Sequence, residues 1–241
     1  MPRQEIYNAT GSSYEDERYG TSHMQSYLET RCQVLIDIIK RVHGDKKDLH
    51  ILEVGCGTGL TLQFLAKMNS SAKLFGMDFS ETMLRQSHEK ALKTKNRIAV
   101  TLGNAFGLPF NDCQFDVVYA TRFIHQFYHE DKKKLHRELS RVTKSGGVVV
   151  LEFYAYGYHW VRFYTGGRKG KSWESYFSHY PTAEEIQEIV GGPFEPIPVR
   201  LAGERIFSKI LGKNGVQWLM KRATRLPASA LIDEYFVASR I

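Results

Sequence analysis

The stretch Glu53-Val54-Gly55-Cys56-Gly57-Thr58-Gly59 carries more chemistry than any other in the chain. It follows the apolar run Leu49-His50-Ile51-Leu52 and precedes a segment of helical pattern. Glycines at such a junction let the backbone turn tightly and bring a ligand against the main chain. A carboxylate, Asp78, stands 23 residues after Gly55, at the end of the next apolar run. There it can accept hydrogen bonds from ribose hydroxyls. A dinucleotide fingerprint needs its third glycine at position 60, but that residue is Leu and the glycine sits one place earlier, at 59. An acid two residues before the first glycine also repels pyrophosphate, whereas it suits an ammonium or a sulfonium. The pattern points to a nucleoside ligand with positive charge, bound where the strands end.

The elements that position this loop are readable from periodicity. Residues 22–43 predict a helix with Leu28, Val34, Leu35, Ile38, Ile39 and Val42 on its apolar face. Strands are expected at Leu49–Val54, Leu74–Asp78, Ile98–Leu102, Phe115–Ala120 and Val148–Phe153. Helices are expected at 60–68, at 81–93 behind the N-cap Ser80, and at 131–143, the last stopping at Ser145-Gly146-Gly147. Thr182 and Glu185 form a capping box for a helix ending at Val190, followed by strands near Ile197–Leu201 and Ile232–Ser239. Alternation of continuous apolar strands with helices predicts an α/β fold: a Rossmann-like, seven-stranded, mostly parallel sheet with helices on both faces. An antiparallel final strand at the sheet edge suits the last two segments.

With 241 residues, 42% apolar and 24% charged, the chain has the profile of a soluble globular protein of one domain, and 20 Gly and 7 Pro exclude a collagen-like one. Its parts read as an N-terminal helical cap (1–44), a cofactor-binding core (45–155), an aromatic insert (151–182) and a C-terminal part of the sheet (183–241). No apolar run approaches the roughly 18 residues of a membrane span. The polar N-terminus does not look like a secretory signal. Three scattered cysteines make no CxxC pair, so a reducing cytoplasm is expected. No His/Asp/Glu cluster has metal-ligand spacing.

Four motifs occur in order: Glu53–Gly59; Asp78-Phe79-Ser80; Gly103-Asn104-Ala105 with Leu108-Pro109-Phe110; and Phe115-Asp116-Val117-Val118. In this the chain resembles class I S-adenosylmethionine-dependent methyltransferases over roughly residues 45–155. The small-molecule subgroup, with its quinone- and lipid-methylating enzymes, is the nearest likeness. The resemblance implies S-adenosylmethionine as cofactor. It further implies that Gly55, Cys56 and Gly57 line the methionine part, with Glu53 fixing the loop or the amino group. Asp78 would hold the ribose, Phe79 and Met83 would pack on the adenine, and Asn104, Ala105 and Phe106 would sit at its edge. The family usually has Asp where this chain has Asn104. Thr121 would lie near the methionine carboxylate, and Tyr19, in a segment that folds over the cofactor in such enzymes, would reach it. Two departures matter. The N-terminal signature of quinone C-methyltransferases is not visible, which counts against that substrate. No Asn/Asp-Pro-Pro-Tyr/Phe stretch follows the fourth strand and no Pro-Cys pair occurs, which counts against bases, glutamine and cytosine C5, and so against DNA.

Methyl transfer from a sulfonium is an in-line displacement, and a base is needed only where the acceptor must lose a proton. His125, in Thr121-Arg122-Phe123-Ile124-His125-Gln126, is the candidate, weighed against a structural or surface histidine. Residues 151–180 hold 11 of the chain's 30 aromatics. Tyr154, Tyr156, Tyr158 and Trp160 among them are candidates for receiving an apolar or aromatic acceptor; the alternative is a packed insert. Oxygen is the expected methylated atom, with carbon or nitrogen as the alternatives. Between Arg205 and Arg225 stand six basic residues and no acid, on a helical pattern that fits an anionic membrane, an acidic partner or simply the core. That stretch underlies a second reading, an RNA or protein methyltransferase docking through 205–225; a third is an inactive cofactor-binding partner subunit.

Overall fold

The computed structural model describes residues 15, 20, 22–68, 71–94, 97–154, 181–201, 215 and 232–241. Its elements are α1 (Ser22–His43), β1 (His50–Val54), α2 (Leu60–Met68), β2 (Lys73–Asp78), α3 (Glu81–Leu92), β3 (Ile98–Leu102) and β4 (Phe115–Ala120). A single 3-10 turn (Ile124–Gln126) leads to α4 (His129–Val142), β5 (Thr143–Tyr154), α5 (Ala183–Val190), β6 (Phe194–Leu201) and β7 (Ile232–Arg240). The strands form a seven-stranded sheet in the order β3-β2-β1-β4-β5-β7-β6. β1 runs parallel to β2 and β4, and β2 parallel to β3. β7 runs antiparallel to β6. The expected architecture is therefore present, with one difference: β6 holds the edge and the last strand is inserted between it and β5.

Contacts divide the chain into two compact units, one of residues 1–121, 134–150 and 240–241, the other of residues 122–133 and 151–239. In the first, Ile51, Leu52, Val54, Phe115, Val117 and Val118 are buried almost completely, as continuous apolar strands of a covered parallel sheet must be. Helix starts follow local chemistry. Ser80 Oγ accepts the Met83 amide at 3.4 Å to open α3, and the Gly59 carbonyl accepts from Gln63 in the first turn of α2. Gly44, at φ +59, closes α1 by donating to the Lys40 carbonyl.

Two expectations are corrected. Of the expected face of α1, Leu35, Ile38 and Ile39 are buried, together with Tyr27, Arg31, Cys32 and Ile36, while Leu28, Val34 and Val42 are only half-buried. A charged residue inside the stripe shifts its apparent centre. The glycine pair Gly146-Gly147 does not stop a helix; α4 ends at Val142 and the glycines lie inside β5. Asp116 leaves the reason visible, because a Cβ on Gly147 would stand 2.8 Å from its carbonyl oxygen.

In the second unit the capping box of α5 is present, with Thr182 Oγ1 accepting the Glu185 amide and Glu185 accepting the Thr182 amide. Phe153 of β5 stacks on Tyr235 of β7 at 6.1 Å between ring centroids. No helix among the described residues is long and apolar enough to cross a membrane.

Candidate active site

At the carboxyl end of β1 the glycine loop is tied to the end of β2. The Gly55 and Cys56 amides both donate to the Met77 carbonyl, at 2.8 and 3.0 Å. The Gly57 amide donates to Asp78 Oδ2 at 2.8 Å, and the Ser80 amide to Oδ1 at 2.9 Å. Asp78 is buried, and burial raises its pKa against the hold of the Ser80, Gly57 and Phe79 amides. Gly57 has φ +52, and a Cβ there would meet no atom of the described residues within 4 Å, so the loop backbone at that point faces open space among them. Gly59 is required for a different reason: φ is +76 and a Cβ would stand 2.3 Å from Ser87 Oγ. Glycine at 59 rather than 60 thus lets α2 start close against α3.

Behind the loop lies a buried polar cluster. Glu53 is 2% exposed and Oε1 accepts from Thr121 Oγ1 at 3.3 Å. Among the described residues Oε2 has no hydrogen-bond partner, and neither has the buried Tyr119 hydroxyl. Burial pushes the Glu53 carboxyl up to about 8, against the opposing pull of Tyr119, Arg31, Thr121 and Thr61. Arg31 of α1 joins this cluster, donating from Nη2 to Thr121 Oγ1 at 3.4 Å, with its guanidinium over the Tyr27 ring. Sequence reasoning missed Arg31, because a lone arginine on a helix reads as solvent-facing. It also missed Lys90 of α3. That ammonium donates to the Thr58 carbonyl of the glycine loop at 2.9 Å and pairs with Glu15. Glu15 is thereby held at the loop; Tyr19 lies outside the described residues.

The remaining expected cofactor residues are also located. Met83 is buried in the first turn of α3, and Phe79, just before its N-cap, is half-buried. Ala105 is buried and Phe106 40% exposed in the loop after β3. Asn104 is exposed, and its Oδ1 accepts from the Phe106 amide at 3.0 Å, so the oxygen is engaged with its own loop. Arg141 and Glu138 of α4 pin this loop farther on: Glu138 Oε1 accepts the Leu108 amide at 2.7 Å, and Arg141 donates to the carbonyls of Leu108 and Phe110.

In the second unit the turn after β4 brings together two residues that the sequence singled out. The His125 ring lies 4.9 Å from the Tyr154 ring, tilted by 56°. Phe123 and Phe127 meet edge-on across the turn at 5.0 Å, and Ile124 is fully buried. Tyr156, Tyr158 and Trp160 lie outside the described residues, as does the stretch 205–225 apart from Gly215.

A β3-β2-β1-β4-β5-β7-β6 sheet with a glycine loop after β1 and an acid at the end of β2 defines a class I methyltransferase. The chain belongs to the S-adenosylmethionine-dependent methyltransferase family, and S-adenosylmethionine is its cofactor. A family model described as "Methyltransferase domain" matches residues 51–147. The demethylmenaquinone methyltransferase of Lactococcus lactis is 30% identical over 239 residues, 97% of this chain and 79% of the relative. The chloroplastic 2-phytyl-1,4-beta-naphthoquinone methyltransferase of Arabidopsis thaliana is 36% identical over 120 residues, 46% of this chain and 44% of the relative. Among solved structures, the magnesium protoporphyrin IX methyltransferase of Synechocystis PCC 6803 shares the fold with a TM-score of 0.65 at 15% identity, over 98% of this chain and 96% of that one. The residues present fit the cofactor. An unpartnered buried carboxylate oxygen suits an ammonium, and the loop backbone is open to a ligand at Gly57.

Proposed function

We propose that this methyltransferase acts on a small, apolar, ring-hydroxylated acceptor of the naphthoquinol kind, and that His125 accepts the hydroxyl proton. The observation that carries the acceptor class is the alignment with a demethylmenaquinone methyltransferase over 97% of the chain. The relative named for a phytyl-naphthoquinone supports the same class. The aromatic-rich segment 151–180 suits an apolar ring. The missing N-terminal quinone signature argues the other way, but near full-length similarity weighs more than the absence of one short motif.

When bound, S-adenosylmethionine supplies an electrophilic sulfonium methyl. The chain's own residues bind and orient it. Glu53 would take the ammonium and Arg31 and Thr121 the carboxylate, with Gly55, Cys56 and Gly57 lining the methionine part. Asp78 would hold the ribose, while Phe79, Met83, Asn104, Ala105 and Phe106 would border the adenine. Tyr19 would complete the cofactor contacts, and Tyr154, Tyr156, Tyr158 and Trp160 would receive the acceptor ring. His125, its ring seated on Tyr154, takes the proton that leaves the acceptor hydroxyl. The resulting aryl oxide is nucleophilic at its oxygen and at the adjacent ring carbon. Oxygen is the proposed methylated atom, and the adjacent ring carbon is the alternative that the product's spectrum distinguishes.

The test is turnover of reduced, prenylated naphthoquinone with a carbon-13-labelled methyl donor, reading the methylated atom from the product's carbon spectrum. His125→Ala should lower kcat about 100-fold or more at neutral pH and less at alkaline pH, where the acceptor ionises unaided. A variant with unchanged rate at neutral pH removes the base role. Cofactor binding without turnover on any hydroxylated naphthalene removes the acceptor class.

A further inference from the structure

The turn that carries His125 is gripped at its first residue. Arg122 has φ +53, a left-handed conformation that residues with a Cβ rarely adopt. Its amide donates to Glu152 Oε2 at 2.9 Å, and its carbonyl accepts from Gln126 Nε2 at 3.2 Å. Glu152 is 2% exposed, an acid set between the buried Leu151 and Phe153 of β5. Side chains alternate along a strand, so Glu152 and Tyr154 share one face of β5 while Phe153 stacks on Tyr235 from the other. One strand face therefore meets the turn twice: Glu152 at its first amide and Tyr154 at the His125 ring.

The geometry points to Glu152 as a positioning residue, whose buried carboxylate fixes the left-handed Arg122 peptide and thereby seats His125 against Tyr154. Two features that are unfavourable alone account for each other here. A buried carboxylate needs donors, and the left-handed turn aims an amide at it. The inference rests on the reading of His125 as proton acceptor, and its test separates the two.

Glu152→Ala, Glu152→Gln and His125→Ala are compared singly and in combination, with the ring-proton resonances of His125 as a readout independent of activity. Glu152→Ala should lower kcat about 30-fold or more through misplacement of the base. Glu152→Gln, whose amide oxygen still accepts the Arg122 amide, should stay within about threefold of the parent. In the His125→Ala background, Glu152→Ala should cost less than about threefold further, because the two act through one group. The ring-current shift that Tyr154 imposes on His125 should survive in Glu152→Gln and vanish in Glu152→Ala. An unchanged shift in Glu152→Ala, or an equal further loss of rate in the His125→Ala background, overturns the inference. A silent His125→Ala removes the base role, and the shift comparison then still decides whether Glu152 seats the ring. Where Glu152→Ala is unfolded, Glu152→Leu, which fills the space without an acceptor, takes its place.

Discussion

Glu53 and Asp116 are buried acids on the paired strands β1 and β4, at opposite ends, and they are treated in opposite ways. Asp116, near the start of β4, is saturated: Lys46 at 2.7 Å on Oδ1, and Lys144 and the His50 amide, both at 2.9 Å, on Oδ2. Burial alone would raise its pKa, but Lys46, the His50 amide and Lys144 outweigh it and hold the carboxyl well below the usual range. Glu53, near the end of β1, has one long hydrogen bond from Thr121 and an oxygen with none, and its carboxyl is pushed up to about 8. The acid that serves only the fold has its partners inside the protein. The acid at the carboxyl ends of the strands is left short of them, which makes sense where a charged ligand completes the set.

Asp78 is the sharpest way to break that contrast, because it both anchors the Gly57 amide and is proposed to hold the ribose. Asp78→Ala should weaken binding of S-adenosylmethionine about 100-fold or more in a calorimetric titration, with the loss of a charge-assisted bond network at the loop. Binding within a few fold of the parent would mean that the loop alone defines the site. Asp116→Ala addresses the other end and should leave cofactor affinity unchanged while lowering folding stability by about 2 kcal/mol, discounted because Lys46 and Lys144 are both more than a third exposed. The pH dependence follows from the depressed folded pKa. The contribution is present above the unfolded value and is lost as pH falls below about 4, so chemical denaturation of Asp116→Asn should show a flatter acid limb than the parent.

The glycine loop and Asp78 were legible because they are local: 23 residues separate Gly55 from Asp78, and residue types alone define the turn and the acid. Most elements were legible for the same reason, since caps such as Ser80 and the Thr182–Glu185 box act within one turn. What the sequence hid is what tertiary packing brings together. Arg31 is 90 residues from Thr121, Lys90 is 75 from Glu15, and Arg122 is 30 from Glu152. Neither partner of such a pair carries a mark in its own neighbourhood. The place of β7 inside the sheet is likewise a non-local fact, unrelated to the strand's own apolar pattern. Gly146-Gly147 misled because a glycine pair after a helix is a common stop, whereas here it accommodates the Asp116 carbonyl and the Ile241 amide within a strand.

The subtlest expectation concerns protons. With a folded pKa of about 8 and an ordinary value of 4.5 when unfolded, Glu53 is mostly protonated in the ligand-free protein at pH 7. Its ionised form favours the unfolded chain, so ligand-free stability should fall as pH rises from about 4.5 towards 8. Glu53→Gln should remove that slope and leave the ligand-free protein as stable as the parent or more so, since a neutral amide carries no desolvated charge. Binding turns the same group around. An ammonium against the carboxylate favours ionisation, so association at pH 7 should release up to about one proton, visible as a buffer-dependent heat in calorimetry. Glu53→Gln should bind the cofactor about tenfold more weakly and show no buffer dependence. If the parent's heat is the same in every buffer, Glu53 is already ionised or never meets the ammonium, and the contrast with Asp116 reduces to one of burial.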